Sequence, residues 1–337
     1  MRYVIYAICA LSAVAVMLCV AVGLTRYIVP DASCQATDPH TQIIGCTAEI
    51  NKSDVNSTLQ DAYFRRGWAE LRLNQPDLAI ADETKALSFY PMFSSAFAVR
   101  GAAYGKKGQW QSDIADQNAA IALDSHYALG YSERGYAEAQ SNLNAAALAD
   151  FNTSLKLEPD SKIALVERGT IELRMGAFDQ AVADSTRAIT LDPKYIYAFR
   201  IRATAYEREH DYARAVADRA VLVAAFPKSE MYLNNLCWSR ALGGDLQTAL
   251  GECVKAISLN PKDPAVRDSL GFVYLKLKQF DAAIAAYSDA LKLAPKAASS
   301  LYGRALAEQA LGELPAAKAD FAAAAAIDPA IAADFGT

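Results

Sequence analysis

Seven prolines, Pro91, Pro159, Pro193, Pro227, Pro261, Pro295 and Pro329, stand at multiples of 34 residues from one another, and only Ser125 interrupts the series. A strict period of this length means one supersecondary unit copied many times. Each copy is too small to enclose a core and buries its apolar face against its neighbours. The phase defines eight repeats, beginning at Gln60, Ser94, Ala128, Lys162, Ile196, Glu230, Pro264 and Ala298, with no insertion between them.

The unit is clearest from Pro264 to Ala297. Apolar residues recur at helical spacing through Leu270, Val273, Tyr274 and Leu277, and again through Ala283, Ile284, Tyr287, Ala290, Leu291 and Leu293. Lys278-Gln279 separates the two runs. Pro295 ends the second, because proline donates no N–H and disfavours helix in the residue before it. Position 8 of the repeat is Gly67, Gly101, Gly135, Gly169, Ala203, Cys237, Gly271 and Ala305, and position 20 is Ala except at Asp113. Small residues there let the two helices of a hairpin approach closely. Larger residues at positions 4, 28 and 30 are expected to fill the space between neighbours. The order Leu270, Gly271, Tyr274, Ala283, Tyr287, Ala290, Pro295 resembles the tetratricopeptide repeat family, whose period is also about 34 residues. The resemblance implies an all-α solenoid of eight stacked helix–turn–helix repeats over residues 60–331. It also implies a right-handed superhelix whose first helices line a concave groove, and a role in holding a protein or peptide.

Overlaying the repeats shows a charge pattern. Position 7 is Arg66, Arg100, Arg134, Arg168, Arg202 and Arg304, but Leu236 and Leu270; position 23 is Asp82, Asp116, Asp150, Asp184, Asp218, Glu252 and Asp320, but Ala286. Pairing within a repeat leaves only Leu236 with Glu252 mismatched, whereas pairing to the next repeat fails at the last three junctions. Six intra-repeat ion pairs are therefore expected. In a hairpin that turns near position 15 or 16, facing positions sum to about 31. Cys237 at position 8 and Cys253 at position 24 sum to 32, so their thiols should touch, as a disulfide or as two free thiols in a core.

Residues 1–29 are of another kind. From Tyr3 to Leu24 there are 22 positions without a charge, enough to span a bilayer as helix. Small residues at Ala21-Val22-Gly23 also suit signal cleavage. The readings are a membrane anchor, a removed signal, or a body facing the cytoplasm; export is the expectation. A linker follows over residues 30–59, in which Asp38 caps a short helix starting at Pro39 that could cover the first repeat. Cys34 and Cys46 flank this segment, and in an exported chain they are expected to form a disulfide. Asp328 is expected to cap a last helical turn, before a tail over 332–337.

A net charge of -5 argues against nucleic acid, which needs a basic face. Seventeen tyrosines against three histidines suit packing more than metal ligation. There is no phosphate-binding glycine loop, dinucleotide fingerprint or H-E-x-x-H. GYSERG at 130–135 has one residue too many for a nucleophile elbow. Neither an enzyme nor a cofactor is expected. With positions 4, 7, 8 and 11 packing inward, the stripe at 2, 5, 9 and 12 of each first helix should face the groove. It is richest in the C-terminal half: Arg200, Asn234, Asn235, Trp238, Phe272 and Tyr302, types favoured at binding hot spots. First-helix Asn in the resembled family often bonds a ligand's backbone. The Lys/Asn clamp some members use for a C-terminal carboxylate is missing, since Phe64 and Trp68 stand at its positions. The two readings are an interaction scaffold and a self-associating envelope component.

Overall fold

The 34-residue period becomes a helical hairpin in every copy. The computed structural model describes residues 33–335, which form seventeen α-helices and a terminal 3-10 turn, with no strand among them. The chain divides into two compact units, residues 1–157 and 158–337. In the first unit α1 is Pro39–Lys52, α2 Asn56–Arg72, α3 Pro76–Phe89, α4 Ser94–Lys106, α5 Trp110–Leu123, α6 Ala128–Gln140 and α7 Asn144–Leu157. In the second, α8 is Lys162–Arg174, α9 Phe178–Leu191, α10 Ile196–Arg208, α11 Tyr212–Ala225, α12 Glu230–Leu242 and α13 Leu246–Leu259. It continues with α14 Pro264–Lys276, α15 Phe280–Leu293, α16 Ala298–Leu311 and α17 Leu314–Ile327, and ends in the 3-10 turn Ile331–Phe335.

The turn between the helices of a hairpin is made the same way eight times. Position 15 has positive φ in every repeat, carried by Asn74, Gly108, Asn142, Gly176, His210, Gly244, Lys278 and Gly312. The N–H of position 16 then reaches back to the carbonyl of position 11, as from Gln75 to Glu70 at 2.9 Å and from Asp211 to Tyr206 at 2.8 Å. This left-handed C-cap satisfies a carbonyl that the helix end would leave bare. Glycine adopts the conformation without a Cβ clash; His210 and Lys278 hold it at φ 61° and 59°.

Packing follows the small-residue pattern. Position 8 is buried in all eight repeats, and so is position 10, from Ala69 to Ala307. Position 28 fills the space between hairpins as expected, with Leu87, Ile121, Leu155 and Leu291 buried. Position 30 does not: Leu123, Leu191, Leu259, Leu293 and Ile327 are exposed. Two residues further along a helix is a rotation of about 200°, which carries the side chain to the outer face.

The linker contains α1, and α2 begins four residues before the repeat phase, at Asn56. Asp38 caps α1 by accepting the Thr41 N–H at 2.8 Å, with Pro39 in the first turn. α1 packs on α2 and covers it. The Cys34–Cys46 disulfide forms and is buried with Ala62. Gly45 is what allows this, since a Cβ there would lie 2.3 Å from the Ser33 carbonyl carbon. No helix among the described residues is long and apolar enough to cross a membrane. The expected anchor or signal over 1–29 lies outside the described residues.

Candidate functional site

The Arg ladder is built inside the repeat. In α2, Arg66 Nε donates to Asp82 Oδ2 at 2.6 Å and Nη2 to Oδ1 at 2.9 Å, a two-pronged pair. The same geometry recurs at Arg100–Asp116, Arg134–Asp150, Arg168–Asp184, Arg202–Asp218 and Arg304–Asp320. Position 7 on the first helix faces position 23 on the second, so the planar guanidinium can meet both carboxylate oxygens. Where position 4 is aromatic, its ring lies under the guanidinium, as Tyr63 lies 5.4 Å from Arg66. The mismatched repeat resolves by a one-turn shift: Arg240, at position 11, takes Glu252 at 2.9 Å.

A third prong of four of these Arg side chains reaches the preceding repeat. Arg100 Nη1 donates to Thr84 Oγ1 at 3.1 Å, Arg134 to Asn118 Oδ1 at 2.6 Å, Arg202 to Thr186 Oγ1 and Arg304 to Ser288 Oγ, both at 3.1 Å. Arg66 finds Thr47 of α1 in the same role. Reasoning from the sequence missed these acceptors, although position 25 signals them. It carries an oxygen before an Arg repeat and is Ala220 or Val254 before Leu236 and Leu270. The ladder thus joins hairpins to each other as well as closing them.

Acids with one unbonded oxygen sit beside the ladder. Position 11 is Glu70, Glu138, Glu172 and Glu308 in four repeats, and Oε2 of each is buried without a hydrogen bond among the described residues. Burial, with the neighbouring Asp charge adding to it, pushes Glu70, Glu138 and Glu172 up to about 7. Glu83, fully buried at position 24 against Gly67, is pushed up to about 10 by burial and then by Asp82 and Glu70. Asp113, at the position that is otherwise Ala, rises to about 7 for the same first reason, while the Gln117 amide donates to it at 3.2 Å. Packing strips these carboxyls of water and so favours their protonated form.

The expected partner residues lie on the first helices of the second unit, where α12 touches α14 and α14 touches α16. Arg200 is exposed, its guanidinium 5.5 Å from the Tyr197 ring. Asn234 and Asn235 are half-buried, and Asn234 Oδ1 accepts no hydrogen bond from any described residue. Trp238 is half-buried, its ring tilted against Phe272 at 4.6 Å, and packs on the Cys237–Cys253 core. Phe272 is only 2% exposed, so the expectation of an outward aromatic fails there. Tyr302 is half-buried between Phe321 at 5.0 Å and Phe335 at 5.1 Å.

The expected outward stripe is also too wide. Val166 at position 5 and Ala241 at position 12 are buried. A first helix meets its own second helix, that of the preceding repeat and the first helices beside it, so little of its circumference stays free. Position 2 stays most open: Ile163 is 57% exposed, Tyr197 49% and Met231 49%, on three successive first helices. These are the residues that the hot-spot argument overlooked, and the 34-residue spacing of large apolar side chains at position 2 was their signal.

The expected Cys237–Cys253 disulfide forms between α12 and α13. At the turns of the fifth and sixth repeats, Glu209, His210, Asp211, Tyr212, Arg240 and Asp245 line an open cleft of about 550 Å³. Its charges are spent on each other: Asp245 pairs with Arg240 and Asp211 with Arg214, while the His210 ring meets the Tyr212 hydroxyl.

Two stretches match family models of the tetratricopeptide repeat, residues 132–196 and residues 264–297. No curated protein matches the chain. Among solved structures, a tetratricopeptide repeat protein from Parabacteroides merdae ATCC 43184 superposes with a TM-score of 0.55 at 14% identity, over 74% of this chain and 98% of its own. Pseudomonas aeruginosa pilF gives 0.56 at 17% identity, over 63% and 97%. The APC/C hetero-tetramer Cut9–Hcn1 gives 0.55 at 19% identity, over 88% and 58%. At these identities the likeness is one of fold.

Proposed function

We propose, from the premise that this chain is a tetratricopeptide repeat protein, that it is a non-enzymatic scaffold holding a peptide or protein on the first-helix face of its second unit. The observation that carries this reading is the open row of Ile163, Tyr197 and Met231, with Arg200 over Tyr197. Exposed apolar side chains in register on neighbouring helices, flanked by a guanidinium, offer area and a charged fork together. Asn234 adds an unused acceptor to the same face. The scaffold works outside the cytoplasm: two disulfides at 34–46 and 237–253 suit an oxidising compartment, and the uncharged run from Tyr3 to Leu24 suits export by anchor or signal. The test is a photo-cross-linker at position 197 in the full chain, compared with one at the outward Val254. Cross-links to a partner at 197, lost on replacing Ile163 and Met231 with Ser, support the reading; equal capture at both positions overturns it.

One observation favours a second reading, assembly through self-association. The helix α17 has an outer face poor in polar groups: Leu314 is 61% exposed, Ile327 46%, and the alanines between them are largely open, with Lys318 the exposed charge among them. An open apolar helix face of this extent suits contact with another protein surface. Sedimentation of the native chain and of a Leu314→Glu, Ile327→Lys variant distinguishes the two. A mass that rises with concentration only in the native chain supports assembly.

A further inference from the structure

The tail folds back onto the first helices. After α17, the Asp328 carboxylate accepts the Ala330 N–H at 2.9 Å and turns the chain. Ile331, 5% exposed, is held among Leu291, Leu301 and Ala324. From that anchor the 3-10 turn brings Phe335 to 5.1 Å from the Tyr302 ring and 5.9 Å from the Phe272 ring. Tyr302 is at position 5 and Phe272 at position 9, neighbours on α16 and α14. Phe272 in turn lies tilted against Trp238 of α12. One aromatic side chain of the chain itself thus rests on the rings of two neighbouring first helices, with Trp238 of a third packed against Phe272 behind them. Phe335 is itself only half-buried, and the turn carrying it is a single winding. That holds it by ring contacts more than by backbone bonds.

We propose that Trp238, Phe272 and Tyr302 form a cleft for one aromatic side chain of a partner peptide, and that Phe335 is a resident competitor the partner displaces. The chemistry of the occupant is read from the one seated there: a phenyl ring on a short turn, with Asp334 before it and Gly336 after it in the chain. Ring-on-ring packing supplies area and orientation with few rotors to freeze. The proposal rests on the reading that the first-helix face binds a peptide, but it adds which side chain is taken and what blocks it. A tethered ring sits at an effective concentration of order mM, so a free peptide of the tail's own sequence at μM is outcompeted while Phe335 is present, and a partner displaces it only by binding more tightly than the tail does.

The test uses a fluorescent synthetic peptide matching residues 326–337, titrated by anisotropy against the native chain, the full-length Phe335→Ala variant and a chain ending at Ala333. The last keeps Ile331 in its anchor, and circular dichroism melts establish that both variants fold. Both should bind the peptide at least about tenfold more tightly than the native chain does. A peptide with its own Phe replaced by Ala should bind neither. Equal affinity for all three chains, or no binding to either folded variant, overturns the proposal. A native dimer that Phe335→Ala dissolves also overturns it, because the tail then belongs to a second copy. Loss of the cross-link at position 197 bears on the broader reading alone, since this titration needs no partner.

Discussion

At the scale of single residues, the ladder separates ion pairs that hold the fold from those that decorate it. The Arg134 side chain is 20% exposed and Asp150 9%, whereas Arg187 and Asp160 are 49% and 74% exposed. Replacing Arg134 with Met strands a buried carboxylate and should cost about 2–3 kcal/mol, while Arg187→Ala should stay within about 0.5 kcal/mol. Urea denaturation of the two variants checks the contrast. The buried acids act in the opposite direction. Glu83 rises from an ordinary 4.5 to about 10 and Glu70, Glu138 and Glu172 to about 7. A raised folded-state value means that the folded chain keeps protons the unfolded chain has released. The stability these groups contribute is complete below 4.5, is lost as pH rises through about 7, and for Glu83 goes on falling toward about 10. The melting temperature should therefore fall from about pH 5 to pH 9. Glu83→Gln should raise it at the alkaline end and leave the acid end nearly unchanged. Gln117, at the same position one repeat later, shows that the amide fits, donating to the Ala98 carbonyl at 3.2 Å. A melting temperature that is flat with pH in both chains would show that these carboxyls are solvated.

At the scale of elements, the hairpin is the unit that the sequence makes legible. The period alone sets the helix pairs, and facing positions within a pair set both the Arg–Asp ladder and the Cys237–Cys253 bond, because one hairpin is a local object. What stayed hidden required several hairpins at once. Phe272 looked outward on its own helix, yet Trp238 from the neighbouring helix and Phe335 from the tail close over it. Two predictions belong here. Cys237→Ala with Cys253→Ser uses residues found at those positions in other repeats, so the change removes a cross-link between residues 16 apart without a new clash. It should cost about 2–4 kcal/mol, read as faster amide exchange in α12 and α13. Lys278→Gly relieves a side chain held at φ 59° in the turn before α15 and should stabilise by about 0.5–1 kcal/mol, read as a higher denaturation midpoint.

At the scale of the whole molecule, the eight copies are alike in backbone and unlike in what they present. The first unit holds the two acids most deeply buried without an Arg partner, Glu83 and Asp113. The second carries the open apolar row, the inter-helix disulfide and the folded-back tail. The aromatic cleft lies within the second unit, so residues 158–335 bearing Phe335→Ala should retain all the peptide affinity of the full-length Phe335→Ala variant. Anisotropy with the same labelled peptide checks this, and a tenfold deficit would assign part of the face to residues 33–157.

The backward reach of the ladder's Arg side chains also restricts how such a gene can grow or shrink. Loss of residues 94–127 would set Thr84 ahead of Arg134, a junction already compatible with the one that Thr84 makes to Arg100. Loss of residues 264–297 would set Val254 ahead of Arg304, which now depends on Ser288. Recombination between copies is thus neutral at some seams and costly at others, and thermal melts of the two shortened chains should rank them in that order. The chain carries a grammar of permitted neighbours, written in one oxygen atom per junction.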